Sequence, residues 1–108
     1  MIINRRDAGR AAVFSVSGEL DMLTTPKLDE ALSGENGDRP VVLDLSGVTF
    51  IGSSGLAVVA EHANRVPARP DWLTVVTGDG HVVRAFNLSS LDTVVALYET
   101  VEDALADR

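Results

Sequence analysis

Two serines flanked by glycines, Gly52-Ser53-Ser54-Gly55, are the strongest candidates for chemistry in this chain. They follow an apolar run, Val41-Val42-Leu43-Asp44-Leu45, and precede Leu56, Val59, Ala60 and Ala63 at helical spacing. A serine at a strand-to-helix turn could be a nucleophile, a phosphate acceptor or a helix cap. A nucleophile elbow requires G-x-S-x-G, and the frame centred on Ser54 fails at Leu56. His62 is nine residues beyond Ser53 on the same helix, a rise of about 13 Å, far outside hydrogen-bond reach. His81 could approach only through tertiary folding. A serine hydrolase is therefore disfavoured.

Two readings of the serines remain. Ser53 or Ser54 can cap the helix, the ordinary role of serine at that position. Alternatively Ser53 accepts a phosphoryl group, which adds roughly -1.5 to -2 charge at neutral pH. A helix N-terminus tolerates such an anion through its free N–H groups and its dipole. Gly52 and Gly55 permit a tight turn and close approach by another molecule.

Other polar groups carry less. Gly78-Asp79-Gly80 lacks the third glycine of a dinucleotide fingerprint, since position 83 is Val83. A turn with Asp79 capping a helix through Val82, Val83 and Phe86 explains it better. His62 and His81 are too few and too isolated for a metal site. Glu19 and Asp21 form a carboxylate pair with no evident acid/base partner, so solvation or helix capping is their default. Asp44 interrupts an apolar strand and needs donors, which the next turn can supply.

The elements that position these groups follow from periodicity. Ala12, Phe14 and Val16 alternate with Val13, Ser15 and Ser17 as a strand. A turn near Ala8-Gly9-Arg10 pairs it with Ile2 to Asp7. Thr25-Pro26 opens a helix with Thr25 as N-cap. Leu28, Ala31 and Leu32 form its apolar face, and Gly34 and Gly37 end it. Residues 41–45 suit a central strand buried on both faces, and Ser53 to Val66 a helix. Leu73 to Val76 reads as a strand, Thr93 to Leu97 as the last one. Thr100-Val101-Glu102-Asp103 resembles a capping box before a terminal helix. The order is β-β-α-β-α-β-α-β-α, an α/β fold with a mixed, mostly parallel sheet.

The chain has 108 residues, 45% of them hydrophobic, which fits one domain over 1–108 with a real core. It contains no cysteine, which removes disulfides and thiolate sites. No signal-peptide pattern opens the sequence and no run is long enough to span a bilayer, so a cytoplasmic location without a membrane is expected. The net charge of -7 disfavours direct nucleic-acid binding. It suits solubility and a partner with a basic face.

Several segments together resemble a known family. Gly18-Glu19-Leu20-Asp21, Thr25 and Leu28, the run from Val42 to Ile51, and Ser53-Ser54-Gly55-Leu56 are similar to the STAS domain of bacterial anti-anti-sigma factors. Leu88 to Tyr98 and Val101 to Leu105 are similar to that family's last strand and helix. The resemblance covers nearly the whole chain. It implies a small sheet of about five strands with about four helices on one side. It implies an anti-sigma factor antagonist, not an enzyme; no cofactor is expected. The partner it implies is an anti-sigma factor that is also a serine kinase, whose capture would free a sigma factor. The resemblance further implies that phosphorylation breaks the complex and that a serine phosphatase restores it.

By position, the phosphorylated serine is Ser53. The implied partner surface is Asp21, Thr24, Ile51, Gly52, Ser53, Ser54, Gly55 and Leu56. The sequence departs from the pattern at Gly52, where the family carries aspartate. That departure supports a second reading: a non-phosphorylated STAS adaptor in a larger signalling or transport-associated complex.

Overall fold

The computed structural model describes residues 1–78 and 80–107. Strands β1 (Ile2–Ala8) and β2 (Ala11–Leu20) form an antiparallel hairpin closed at Gly9, which takes the positive φ that a tight turn requires. Then come α1 (Thr25–Ser33), β3 (Val41–Ile51), α2 (Ser53–Ala63), β4 (Leu73–Val76), α3 (His81–Leu88), a 3-10 turn (Leu91–Thr93), β5 (Ala96–Tyr98) and α4 (Val101–Ala106). The strands lie in sequence order, β1-β2-β3-β4-β5, and all pairs after the first are parallel. The mixed, mostly parallel sheet expected from the sequence is present.

β3 is the central strand, and its pattern shows why. Val41, Leu43 and Leu45 join the large core beneath α1, α2 and α3, with Phe14, Leu28, Leu32, Val59 and Phe86. Val42 points the other way and joins Val13, Val76 and Ala104. Both faces of β3 are thus covered, which is what a continuous branched run requires. Crossovers between parallel neighbours share one hand and so fall on one face. The terminal helix α4 is not a crossover, and it packs on the opposite face. This corrects the expectation of helices on one side only: Val13, Val42 and Val76 need a cover that no crossover helix can reach.

Other boundaries also move. β3 continues past Leu45 to Ile51 through register irregularities opposite Ser15–Ser17 and Gly18–Glu19. α2 stops at Ala63 rather than Val66, because residue 66 precedes Pro67 and proline disfavours helix before it. The last strand is Ala96–Tyr98 rather than Thr93 to Leu97, since residues 91–93 turn. Thr25 is the first helical residue of α1, not its cap. The proposed capping role of Asp79 lies outside the described residues. Asp44 finds its donors within β3 itself rather than in a following turn: the Ser46 N–H and hydroxyl donate to it at 3.0 and 2.6 Å. Thr100 accepts from the Asp103 N–H at 3.1 Å, half of a capping box.

α1 and α2 are joined by a clasp. His62 is 4% exposed. Its Nδ1 accepts from Arg65 Nε at 3.0 Å. A guanidinium only donates, so the ring proton sits on Nε2 and is donated to Asp29 at 2.7 Å. Arg65 also donates to the Leu32 and Glu35 carbonyls at the end of α1 and lies over the Trp72 ring at 5.0 Å. Trp72 Nε1 donates to the His62 carbonyl at 3.1 Å. The histidine that sequence left without a role therefore ties two helices together.

One buried hydroxyl has no protein partner among the described residues, that of Thr74 in β4. An unsatisfied buried hydroxyl is destabilising. Thr74→Val keeps the shape and removes the polar atom, and it should raise stability by about 1 kcal/mol. Urea unfolding of the variant checks this.

Candidate functional site

The site lies where the C-terminal ends of β2 and β3 meet. Leu20 pairs with Ile51, and the Gly52 N–H donates to the Leu20 carbonyl at 2.9 Å. This register brings the segment after β2 beside the serine turn. Asp21, Thr24, Gly52, Ser53 and Ser54, far apart in sequence, thereby form one surface.

The turn at residues 21–24 is locked by its own side chains. Asp21 Oδ1 accepts from the Leu23 and Thr24 N–H groups at 2.9 and 3.0 Å. Thr24 Oγ1 donates to the Glu19 carbonyl at 2.6 Å and accepts from the Asp21 N–H at 3.0 Å. The hydrogen bonds from Thr24 and Leu23 hold the Asp21 carboxyl below its ordinary value. A depressed carboxyl favours the fold at neutral pH, and that contribution is lost only as pH falls through the depressed value. The turn is therefore set throughout the neutral range.

Gly52 caps α2 with its backbone only; no side chain serves as cap there. The expectation that Ser53 or Ser54 caps the helix is overturned. Ser53 is the first helical residue, and the N–H groups that a cap would bond lie further along. Ser53 is exposed, and its hydroxyl has no protein partner among the described residues. Ser54 Oγ lies 3.5 Å from Thr25 Oγ1, bridging the starts of α2 and α1. Ile51 and Gly55 are buried. A Cβ on Gly55 would sit 3.0 Å from Ile51 Cγ1 and 3.2 Å from Leu20 Cβ, so these two residues shape the surface from beneath. Leu56 is half-buried against the core.

Three residues of this surface escaped the sequence reading. Met22 and Leu23 are 83% and 89% exposed at the tip of the locked turn, and Phe50 is 50% exposed beside Gly52. Adjacent exposed apolar side chains on a rigid turn are characteristic of a docking surface. The available signal was an apolar pair, Met22-Leu23, inside an otherwise polar turn. Among the described residues, no cluster of three or more histidine or acidic side chains could hold a metal ion. No helix there is long and apolar enough to cross a membrane.

The backbone at Gly52 is ordinary extended chain, φ -94° and ψ -179°, so a side chain fits. Its Cβ would meet the half-exposed Phe50 ring at 3.3 Å, and that ring can shift. Gly52→Asp would place a carboxylate at the empty cap, within reach of the Ser54 and Gly55 N–H groups. Stability should rise by roughly 0.3 kcal/mol, since glycine is itself a fair N-cap, read as a slightly higher melting midpoint. An unchanged or lower midpoint would mean that the ring blocks the carboxylate.

A sheet with this order and a serine turn at the end of its central strand define a family. Residues 3–104 match the STAS domain, and the chain belongs to that family. It is 35% identical over 101 residues to the anti-sigma-F factor antagonist RsfB of Mycobacterium tuberculosis, covering 92% of this chain and 82% of RsfB. The crystal structure of an anti-sigma factor antagonist from Mycobacterium paratuberculosis superposes with a TM-score of 0.90 at 35% identity, over 98% of this chain and 92% of that one. SpoIIAA of Bacillus in its phosphorylated form shares the fold, with a TM-score of 0.71 at 18% identity over 98% of each chain.

Proposed function

We propose that this protein is an anti-sigma factor antagonist whose docking surface is centred on Ser53 and whose affinity is set by phosphorylation there. The observation that carries the reading is the exposed Ser53 hydroxyl, free at the first turn of α2 and rimmed by Met22, Leu23 and Phe50. The names of its relatives supply the partner: an anti-sigma factor. The protein acts as a binding module and as a kinase substrate, not as an enzyme. In the dephosphorylated state it binds the anti-sigma factor, itself a serine kinase, and a sigma factor is released. Phosphorylation ends the complex and a phosphatase restores it.

The physics of the switch is local. A phosphate on Ser53 meets the N-terminal end of the α2 dipole, so the domain stays folded. At a docked surface that has lost water, the same charge faces the nucleotide of the kinase. Like charges juxtaposed in an interface cost several kcal/mol, enough to change affinity by orders of magnitude.

The test is a pull-down of the purified anti-sigma factor by the wild-type protein, followed by ATP and mass spectrometry of the Ser53 peptide. The expected outcome is capture, then release with a phosphoryl mass increment on that peptide. Capture that survives ATP with Ser53 unmodified would favour the adaptor reading, which Gly52 supports.

A further inference from the structure

A second site lies at the opposite end of the sheet. The β1–β2 turn, the segments entering β3 and β4, and the end of α4 line an open hollow of about 660 Å³. That volume is in the range of small-molecule sites. Its apolar wall includes Ala8, Ala11, Trp72 and Leu105, and its charged rim includes Arg10 and Arg69.

Three arginines of the chain are already engaged elsewhere. Arg5 and Arg39 pair with Asp7 and Glu35. Arg65 is spent on His62 and on backbone carbonyls. Arg10 and Arg69, like Arg6 and Arg84, have no carboxylate within ion-pair distance among the described residues, but of these four only Arg10 and Arg69 line the hollow. Two carboxylates, Asp71 and Asp107, also line the hollow; Asp107 accepts from the Tyr98 hydroxyl at 2.7 Å, and neither forms an ion pair with Arg10 or Arg69. Two guanidiniums without an ion pair among the described residues thus line one hollow of mixed polar and apolar character.

The frame around them is fixed. Gly9 sets the hairpin turn with φ +62°. The Arg69 N–H donates to the Val66 carbonyl at 3.0 Å, and the Trp72 N–H donates to the Arg69 carbonyl at 3.1 Å. The buried Trp72 anchors this second turn. Guanidiniums recognise carboxylate, sulfonate and phosphate groups with paired donors, and the apolar wall would take a hydrocarbon body.

We infer that this hollow binds a small organic anion, with its charged head between Arg10 and Arg69 and its apolar body against Ala8, Ala11, Trp72 and Leu105. The site is separate from the Ser53 surface. The eleven residues of β3 lie between the two ends, a span of about 30 Å in extended chain. A ligand here and a partner there could be bound together.

The probe is 8-anilinonaphthalene-1-sulfonate, titrated into the full chain and followed by calorimetry and amide chemical shifts. Its neutral analogue, N-phenyl-1-naphthylamine, is the comparison. The expected result is saturable one-to-one binding, with shifts centred on Gly9–Ala11, Arg69–Trp72 and Leu105. Arg10→Ala and Arg69→Ala should each weaken it about fivefold or more, the loss of one charge-assisted contact. The neutral analogue should bind at least tenfold more weakly, about the loss of its charged head. Shifts centred instead on Met22, Leu23 and Phe50, unchanged affinity in the double arginine variant, or equal binding of the neutral analogue would each overturn the assignment. Both arginines are on the surface, so loss of binding in these variants would not arise from unfolding.

Discussion

Met22→Ser combined with Leu23→Ser is expected to reduce affinity for the anti-sigma factor several-hundredfold while leaving the melting midpoint unchanged. Both side chains are almost wholly exposed in the free protein, so replacing them removes nothing from the core. On docking they would be buried, and full burial of such a side chain is worth about 1.5–3 kcal/mol. Two adjacent anchors together supply about 3–4 kcal/mol, allowing for the coupling expected between neighbours. The turn that presents them is already ordered by Asp21 and Thr24, so little conformational entropy is lost on binding. Calorimetric titration of the double variant beside wild type gives the result directly. A drop of less than about fivefold, roughly 1 kcal/mol, would remove Met22 and Leu23 from the interface.

His62→Ala is expected to destabilise the fold by about 2–4 kcal/mol. The substitution opens a cavity between α1 and α2 and removes the acceptor for Arg65 Nε. It also frees Asp29, although that side chain is exposed enough for water to replace its partner. The clasp ties together the helices whose first turns, at Thr25 and Ser53, carry the proposed docking surface. Loss of stability should therefore be accompanied by weaker partner binding. His62→Gln, which retains a polar side chain but cannot fill both ring-nitrogen positions, should fall between. Chemical denaturation of the three proteins checks the order, and an alanine variant as stable as wild type would show that the clasp contributes nothing.

What could be read in the sequence depended on how local its cause was. The apolar run at residues 41–45 specified a central strand because burial on both faces leaves no room for alternation. Residues 73–76 and the Thr100 cap were readable for the same local reason. The serine turn was also visible, since glycines between a strand and a helix mark it. The cap itself was misassigned: serine is a good N-cap, but the extended Gly52 takes that position and moves Ser53 one residue into the helix. Met22 and Leu23 look like core residues by type; only the Leu20–Ile51 register turns them outward. The clasp joins Asp29 to His62 across 33 residues, a separation that no periodicity encodes. The placement of α4 on the opposite face follows from topology, not from its own sequence.

The central claim, that charge at Ser53 decides partner binding, is tested most directly by one calorimetric series. Wild type, Ser53→Ala and Ser53→Asp are titrated into the same nucleotide-loaded anti-sigma factor. Ser53→Ala should bind as wild type does. Ser53→Asp should bind about a hundredfold more weakly, as expected of a like-charge contact in a partly dried interface, with its melting midpoint equal to or above that of wild type. Equal affinity for all three proteins would contradict the account.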